Sequence, residues 1–201
     1  MSAFTIAYPL GSSLYVNVTN RCTNRCTFCI RNTPSGVGDV DLWLTHEPTV
    51  KEMLAAITNA GLDKYDELVF CGYGEPMMRF EDCMEICSEV RKISKIPIRI
   101  NTNGHANRIA GRDVTPEMQG LVDIVSISLN APDAKSYNDI CKCIYGEDGF
   151  YEMLDFTKKA TRFVPKVIMS VVDVISPDNI EKCKAVAKNC GAILRVRHYS
   201  E

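Results

Sequence analysis

The fold is decided by Leu14-Tyr-Val-Asn-Val-Thr-Asn-Arg-Cys-Thr-Asn-Arg-Cys-Thr-Phe-Cys29, where a β-strand pattern leads directly into a cysteine-rich loop. Its first five residues, Leu14 to Val18, have the β-branched and aromatic content that is typical of a strand. The loop then carries Cys22, Cys26 and Cys29 in a C-x3-C-x2-C spacing. Three thiolates so close together can hold one metal centre, and thiolates suit both zinc and iron–sulfur clusters.

The number of ligands favours a cluster over zinc. A structural zinc ion takes four protein ligands, and neither a histidine nor a fourth cysteine lies near this loop. A four-iron cluster held by three cysteines keeps one iron open for a substrate or cofactor. Two alternatives stay open: a zinc site completed by a distant cysteine, and three core cysteines. The polar Thr, Asn and Arg neighbours are unlike those of a core.

Strand-like runs recur along the chain, and helical patterns separate most of them. After residues 14–18, the runs cover residues 67–71, 98–100, 124–129, 167–172 and 193–197. The helical patterns cover residues 49–60, 80–94, 133–141, 151–163 and 177–189, with a short piece at 116–120. This alternation predicts βαβ units and a parallel sheet. We therefore expect an α/β fold, a partial, open (β/α)6 TIM-like barrel of parallel strands, in a single domain over residues 1–201.

Ligands in such folds bind at the carboxyl ends of the strands. The second run ends in Cys71-Gly-Tyr-Gly-Glu-Pro76, where glycines permit close backbone approach and Glu75 can accept hydrogen bonds from a cationic amine. The third ends in Asn101-Thr-Asn-Gly104. An ordinary turn explains both stretches equally well.

Two later strands place polar side chains on one face, because side chains alternate along a strand. The fourth run places Ser126, Ser128 and Asn130 together, and the last places Arg195 with Arg197, followed by Tyr199. A cation at a strand end can pair with a carboxylate of a cofactor or substrate. The alternative is a solvated edge strand guarded by charge.

The cysteine loop resembles the signature of the radical S-adenosylmethionine (SAM) superfamily, C-x3-C-x-aromatic-C, with Phe28 in the aromatic place. The resemblance covers nearly the whole chain, and within the superfamily it is nearest to the small proteins associated with TatD-type nucleases. It implies one 4Fe–4S cluster on the three cysteines. It also implies a SAM site built from Phe28, Gly72, Tyr73, Gly74, Glu75, Pro76, Asn101, Thr102, Asn103, Ser128, Asn130 and Arg197. Tyr73 departs from the family pattern, which has glycine there.

The resemblance also implies the chemistry. One electron from the reduced cluster cleaves SAM to methionine and a 5'-deoxyadenosyl radical, which takes a hydrogen atom from the substrate. An electron donor such as flavodoxin or ferredoxin is then a partner. The substrate stays open between a protein glycine, as for a glycyl-radical-enzyme activase, and a deazapurine-type or nucleotide substrate. A non-catalytic iron–sulfur or zinc module is the alternative outside the enzymes.

The other cysteines and the histidines carry weaker signals. Helical spacing places Cys83, Cys87, Cys183 and Cys190 in the core, and Cys71 is expected to pack there too. Cys141 and Cys143 lie on the expected open side; we expect no second cluster, but Cys141 is a candidate hydrogen donor or substrate contact. The three histidines are expected in loops or at the surface. The Gly-rich segment 32–46 is expected to form a lid or a hydrophobic anchor.

Composition excludes some classes of function. The formal net charge of -2 gives no global attraction for nucleic acid, although a local basic face stays open. The N-terminal segment lacks the basic and apolar pattern of a secretory signal, and no run approaches the roughly 20 apolar residues that span a bilayer. We expect a cytoplasmic protein without a membrane partner. With one domain, the open barrel is expected to need a large substrate, such as a macromolecule, or a partner to close it.

Overall fold

A computed structural model describes residues 5–32, 37 and 40–199 of the protein. These residues form one sheet, in which the strand order follows the sequence order. The strands are β1 Ala7–Leu10, β2 Ser13–Val16, β3 Glu67–Phe70, β4 Ile98–Thr102, β5 Ile124–Ser128, β6 Lys166–Val172 and β7 Ile193–Arg197. All pairs from β2 to β7 are parallel, and the sheet is open. The expected α/β fold with six parallel strands is confirmed.

The strand β1 was not predicted from the sequence. It pairs antiparallel with β2 through a hairpin that turns at Gly11 (φ 59°). Four residues that include Pro9 give no strand pattern, and a proline fits only an edge strand because it lacks an N–H group. β1 therefore closes one side of the parallel sheet with a strand of opposite direction.

The helices lie close to their predicted positions. They are α1 Val50–Ala60, α2 Phe80–Ile93, α3 Ala106–Ala110, α4 Ala134–Cys141, α5 Asp148–Ala160 and α6 Pro177–Asn189. Thr49 and Glu52 form the expected capping box, and Ser176 caps α6. The five-residue α3 is too short for a periodic pattern and was missed. The piece expected at 116–120 is a 3-10 helix at Thr115–Met118.

Alternation along the strands separates a helix-covered face from a concave face. On β4 and β5, Ile100, Val125 and Ile127 are fully buried in the core. Their neighbours Asn101 and Ser126 lie on the opposite face. The four cysteines predicted as core residues, Cys83, Cys87, Cys183 and Cys190, are buried there. Among the described residues, no helix has the length and apolar content to cross a membrane.

Candidate functional site

A cavity of about 590 Å³ occupies the concave face of the sheet and the carboxyl ends of its strands. Nearly all the predicted site residues line it. They are Cys22, Cys26, Phe28, Cys29, Gly72, Tyr73, Gly74, Glu75, Asn101, Thr102, Asn103, Ser128, Asn130 and Arg197. Pro76 does not: it is buried and begins the 3-10 helix Pro76–Arg79, where a proline fits the first turn.

The three cysteines of the loop after β2 are half-buried along this one cavity. Burial raises the pKa of the Cys22 thiol to about 12 and also raises that of Cys29. Within the described residues, no three cysteine, histidine or acidic side chains converge on a single point as one metal ion requires. A cluster does not require that convergence, because each cysteine binds a different iron.

The thiol of Cys26 lies beside the thiol of Cys141 at the end of α4, and this neighbour together with burial raises the pKa of Cys26. Two backbone bonds hold the segments together on either side of Cys26: Arg25 N donates to Cys141 O (2.8 Å) and Thr27 N donates to Ile140 O (2.9 Å). Cys141 is fully buried and Cys143 nearly so. Neither lines the cavity, so Cys141 packs behind the cluster loop.

Glu75 is a buried carboxylate that joins the ends of β3 and β4. It accepts hydrogen bonds from Thr102 Oγ1 (2.7 Å), the backbone N of Asn103 (2.6 Å) and the backbone N of Met77 (3.0 Å). Burial outweighs these donors and raises the pKa of Glu75 to about 7. A cationic amine bound beside Glu75 would favour the charged form of this carboxyl group. The charged carboxylate would then accept hydrogen bonds from the amine.

This carboxyl predicts a stability change with pH in the cofactor-free protein. Its pKa is 4.5 when exposed and about 7 in the fold, so across this window the folded state holds a proton that the unfolded chain has released. Raising the pH through the window should cost the fold about 3 kcal/mol. In Glu75→Gln this contribution should vanish. Urea denaturation of both proteins at about pH 5 and pH 8 checks it; equal pH dependence in the two would contradict it.

Gly72 and Gly74 are required by packing inside the protein. A Cβ atom on Gly72 would lie 2.0 Å from Asn17 Oδ1, and one on Gly74 would lie 2.1 Å from the backbone O of Thr19. The end of β3 therefore packs directly against the start of the cysteine loop. The close approach that was expected toward a ligand is made here by Asn17 and by the backbone of the cysteine loop itself.

A buried hydrogen-bond chain behind the cysteine loop was not predicted. Asn103 Nδ2 donates to Thr23 Oγ1 (2.7 Å), and Thr23 Oγ1 contacts His105 Nδ1 at 2.8 Å. His105 Nε2 contacts the backbone O of Gly149 at 3.0 Å, so we assign the proton to Nε2 and the Thr23 hydroxyl donates to Nδ1. Burial lowers the pKa of His105 to about 4.

His105 is thus fully buried in the loop that precedes α3, so the expected loop position is correct and the surface alternative is wrong. It links the cysteine loop to α5 and lies 3.4 Å from the hydroxyl of Tyr137 on α4. Its sequence position directly after Asn103-Gly104 was the available signal. His198, by contrast, is exposed and contacts Asp173 at 2.7 Å.

Two asparagine side chains that line the cavity each have an amide oxygen that can accept a further hydrogen bond. Asn24 and Asn130 each bury a side-chain oxygen that has no hydrogen-bond partner among the described residues. Unpaired buried acceptors are costly, so they mark places where a ligand donor fits. Together with Glu75 they give the cavity acceptors for an amine and for hydroxyl groups, which is the donor set that SAM offers.

The end of the cavity away from the cysteine loop is basic, and the sequence predicted only some of its residues. Arg99, nearly buried, pairs with Glu67 through Nη2–Oε1 (2.6 Å) and Nε–Oε2 (3.1 Å), and its guanidinium lies 6.0 Å from the Tyr15 ring centre. Arg195 and Arg197 line the cavity beside it. Cys71 also lines the cavity and is half-buried, so the expectation that it packs in the core was wrong.

The segment 32–46 is described only in part, since residues 33–36 and 38–39 lie outside the described residues. In the described part, Leu42 and Leu44 are buried. Trp43 is half-exposed and its ring packs edge-on against Tyr73, with 5.2 Å between centroids. This part of the segment anchors itself beside the cavity; its action as a lid stays a prediction.

A family model described as the Radical SAM superfamily matches residues 16–188 of the chain. A GTP 3',8-cyclase of Cronobacter sakazakii is 30% identical over 144 residues, which cover 70% of this chain and 40% of that protein. A probable GTP 3',8-cyclase of Methanocella arvoryzae is 25% identical over 173 residues, covering 85% and 51%. The chain therefore spans only 40 to 51% of the length of these relatives.

Solved structures share the fold. A radical SAM methyltransferase from Sphaerobacter thermophilus superposes with a TM-score of 0.64 at 18% identity, covering 96% of this chain and 57% of that one. SuiB of Streptococcus suis, solved with S-adenosylmethionine bound, gives 0.63 at 16% identity, covering 94% and 38%. At these identities the likeness concerns the fold alone.

Proposed function

Because this chain belongs to the radical SAM superfamily, whose members use a 4Fe–4S cluster and SAM as cofactors, we propose that it is an enzyme acting by radical chemistry on a substrate held in the cavity. When bound, the reduced cluster supplies the electron that cleaves SAM to methionine and a 5'-deoxyadenosyl radical, which abstracts hydrogen. One observation carries the proposal: the three loop thiols share a single cavity with the polar strand ends.

One group of cavity residues would hold the cluster, and a second group would orient SAM. Cys22, Cys26 and Cys29 are the ligands, and the chain from Asn103 through Thr23 to His105 fixes the loop that carries them. Glu75 faces the cavity as the acceptor for the amino group of SAM. The amide oxygens of Asn24 and Asn130 have no hydrogen-bond partner among the described residues and would accept hydrogen bonds from SAM.

Other proposed features surround this site. Gly72, Tyr73 and Gly74 contribute backbone and a ring surface, and Asn101 and Ser128 contribute polar groups facing the ribose and carboxylate of SAM. A cavity of about 590 Å³ lies within the roughly 300–1,000 Å³ that small-molecule sites occupy. An electron donor such as flavodoxin or ferredoxin is the proposed partner.

Anaerobic reconstitution tests the proposal. We expect about four iron and four sulfide per chain, as for one 4Fe–4S cluster, and 5'-deoxyadenosine formed from SAM with dithionite. Controls without dithionite and without added iron should form none. One zinc per chain with no cleavage of SAM would overturn the proposal and favour a non-catalytic binding module.

The substrate is proposed only by class. A protein glycine, as for a glycyl-radical-enzyme activase, fits an open barrel that a large partner closes. A nucleotide-type substrate is the second candidate, because three arginines line the cavity and relatives are named for their action on GTP. Incubation with deuterated candidates, followed by mass spectrometry of the 5'-deoxyadenosine, separates them by which one transfers deuterium.

A further inference from the structure

Arg195 and Arg197 form a pair of guanidinium groups on the concave face of β7. They lie two residues apart and line the cavity, with Arg195 opposite Ser170 and Arg197 opposite Val172 in the register with β6. Among the described residues, neither forms an ion pair, and Arg195 makes one long hydrogen bond, from Nη2 to Ser126 Oγ (3.4 Å). Burial lowers the pKa of both groups, which stay charged at neutral pH.

The third arginine of this wall differs in that it is neutralised. Glu67 binds the Arg99 guanidinium through two oxygens, and the Tyr15 hydroxyl accepts a further bond at 3.3 Å. Arg197 lies two residues nearer than Arg195 to the carboxyl end of β7, the end of the parallel strands at which the cysteine loop follows β2. Arg195 is therefore farther from the cysteine loop than Arg197.

SAM can satisfy only one of these two cations. It carries a single carboxylate, and it brings a sulfonium and an ammonium charge of its own. Arg197, nearer the cysteine loop, belongs to the SAM site that the resemblance implies, and we assign the carboxylate to it. Arg195 is then left exposed within the cavity, without an anionic partner among the described residues, and is available to pair with a second anion.

Hydroxyl groups around Arg195 complete a site for such an anion. Ser126, Ser128 and Ser170 line the cavity on β5 and β6, and the Ser170 hydroxyl makes only a long contact of 3.5 Å with the backbone O of Ile127. Guanidinium and hydroxyl donors together match the oxygens of phosphate and carboxylate groups. The alternation of the parallel strands places all these donors on one wall.

We propose that Arg195, with the hydroxyls of Ser126 and Ser170, binds an oxyanion of the substrate, a phosphate or a carboxylate, at the end of the cavity away from the cysteine loop. This inference rests on the proposed function, because only that function makes the bound anion part of a substrate. It assigns the substrate class as anionic, and it gives the two arginines different ligands.

The test measures anion binding by calorimetry on the reconstituted, SAM-loaded protein at constant ionic strength. Methyl phosphate and succinate are the probes, and the tighter one identifies the source of the oxyanion. We expect Arg195→Gln to weaken binding at least about 10-fold, the effect of losing one charged bidentate partner. Arg195→Lys should recover only part of it. SAM affinity should change less than about twofold, because Arg197 is intact.

The matched control is Arg162→Gln, which removes the same charge from an exposed position outside the cavity. It should leave anion binding unchanged. Failure of both probes to bind, or equal binding to wild type and Arg195→Gln, would overturn the inference. An equal loss of SAM affinity would also overturn it, by assigning Arg195 to the cofactor. Calorimetry reads binding directly, so an inactive but anion-binding protein would count against the proposed function alone.

Discussion

Cys26→Ala is expected to lower 5'-deoxyadenosine formation by more than about 100-fold, because residues that merely orient a metal's ligands are already worth about 10–100-fold. Cys26 lies at the centre of the C-x3-C-x2-C spacing and lines the cavity. Removing it leaves two ligands for a cluster that needs three. The measurement is product formed per hour from SAM and dithionite, together with iron per chain and the cluster's absorbance.

Cys190→Ala is the matched control for that loss. It removes a thiol of the same type that is buried at the end of α6, outside the cavity. We expect unchanged iron content and cleavage, with a modest loss of stability. Cys141→Ala adds a second comparison, since it removes the thiol that lies beside Cys26 without removing a proposed ligand. Unchanged cleavage in Cys26→Ala would refute the cluster assignment.

Gly74→Ala is expected to destabilise the protein by about 3 kcal/mol or more, because overpacking at a rigid site typically costs about 1–3 kcal/mol and both clashes here involve backbone. The added Cβ would lie 2.1 Å from the carbonyl O of Thr19 and 2.6 Å from that of Arg21. The loop must move, and Cys22 follows Arg21 directly. We therefore also expect the folded fraction of the variant to load little iron.

Gly120→Ala is the control that measures the effect of backbone strain without a steric clash. Gly120 has a φ of 76° and no atom within 4 Å of an added Cβ, so its substitution should cost about 1–2 kcal/mol without touching the site. Thermal unfolding of both variants gives the stability, and iron per folded chain gives the loading. Normal iron loading in Gly74→Ala would show that the loop position does not depend on this packing.

The sequence predicted the parallel part of the fold because two simple signals agreed. β-branched runs alternated with helical periodicity, and capping pairs such as Thr49 with Glu52 marked the helix starts. The cysteine spacing and the polar strand ends then pointed to one side of the sheet. Since all carboxyl ends of parallel strands meet there, residues as distant as Cys22 and Asn103 were expected in one site, and they line one cavity.

The structural features that could not be predicted from the sequence depend on contacts between distant segments. Burial of His105 against Thr23 and Gly149 follows from the packing of α5 behind the loop, which no local pattern records. Arg99 was overlooked because it interrupts an apolar run, and its partner Glu67 lies on a different strand. β1 was missed because a strand so short draws its stability from pairing with β2.

The order of the strands in the sheet has a consequence for synthesis on the ribosome. Each strand from β2 to β7 pairs with the one made just before it, so the sheet can grow by one strand at a time as the chain emerges. The cysteine loop and the link between Glu75 and Thr102 are complete once β4 has been made. The nascent chain can therefore position the cysteine loop and the Glu75 carboxyl before the arginines of β7 have been translated.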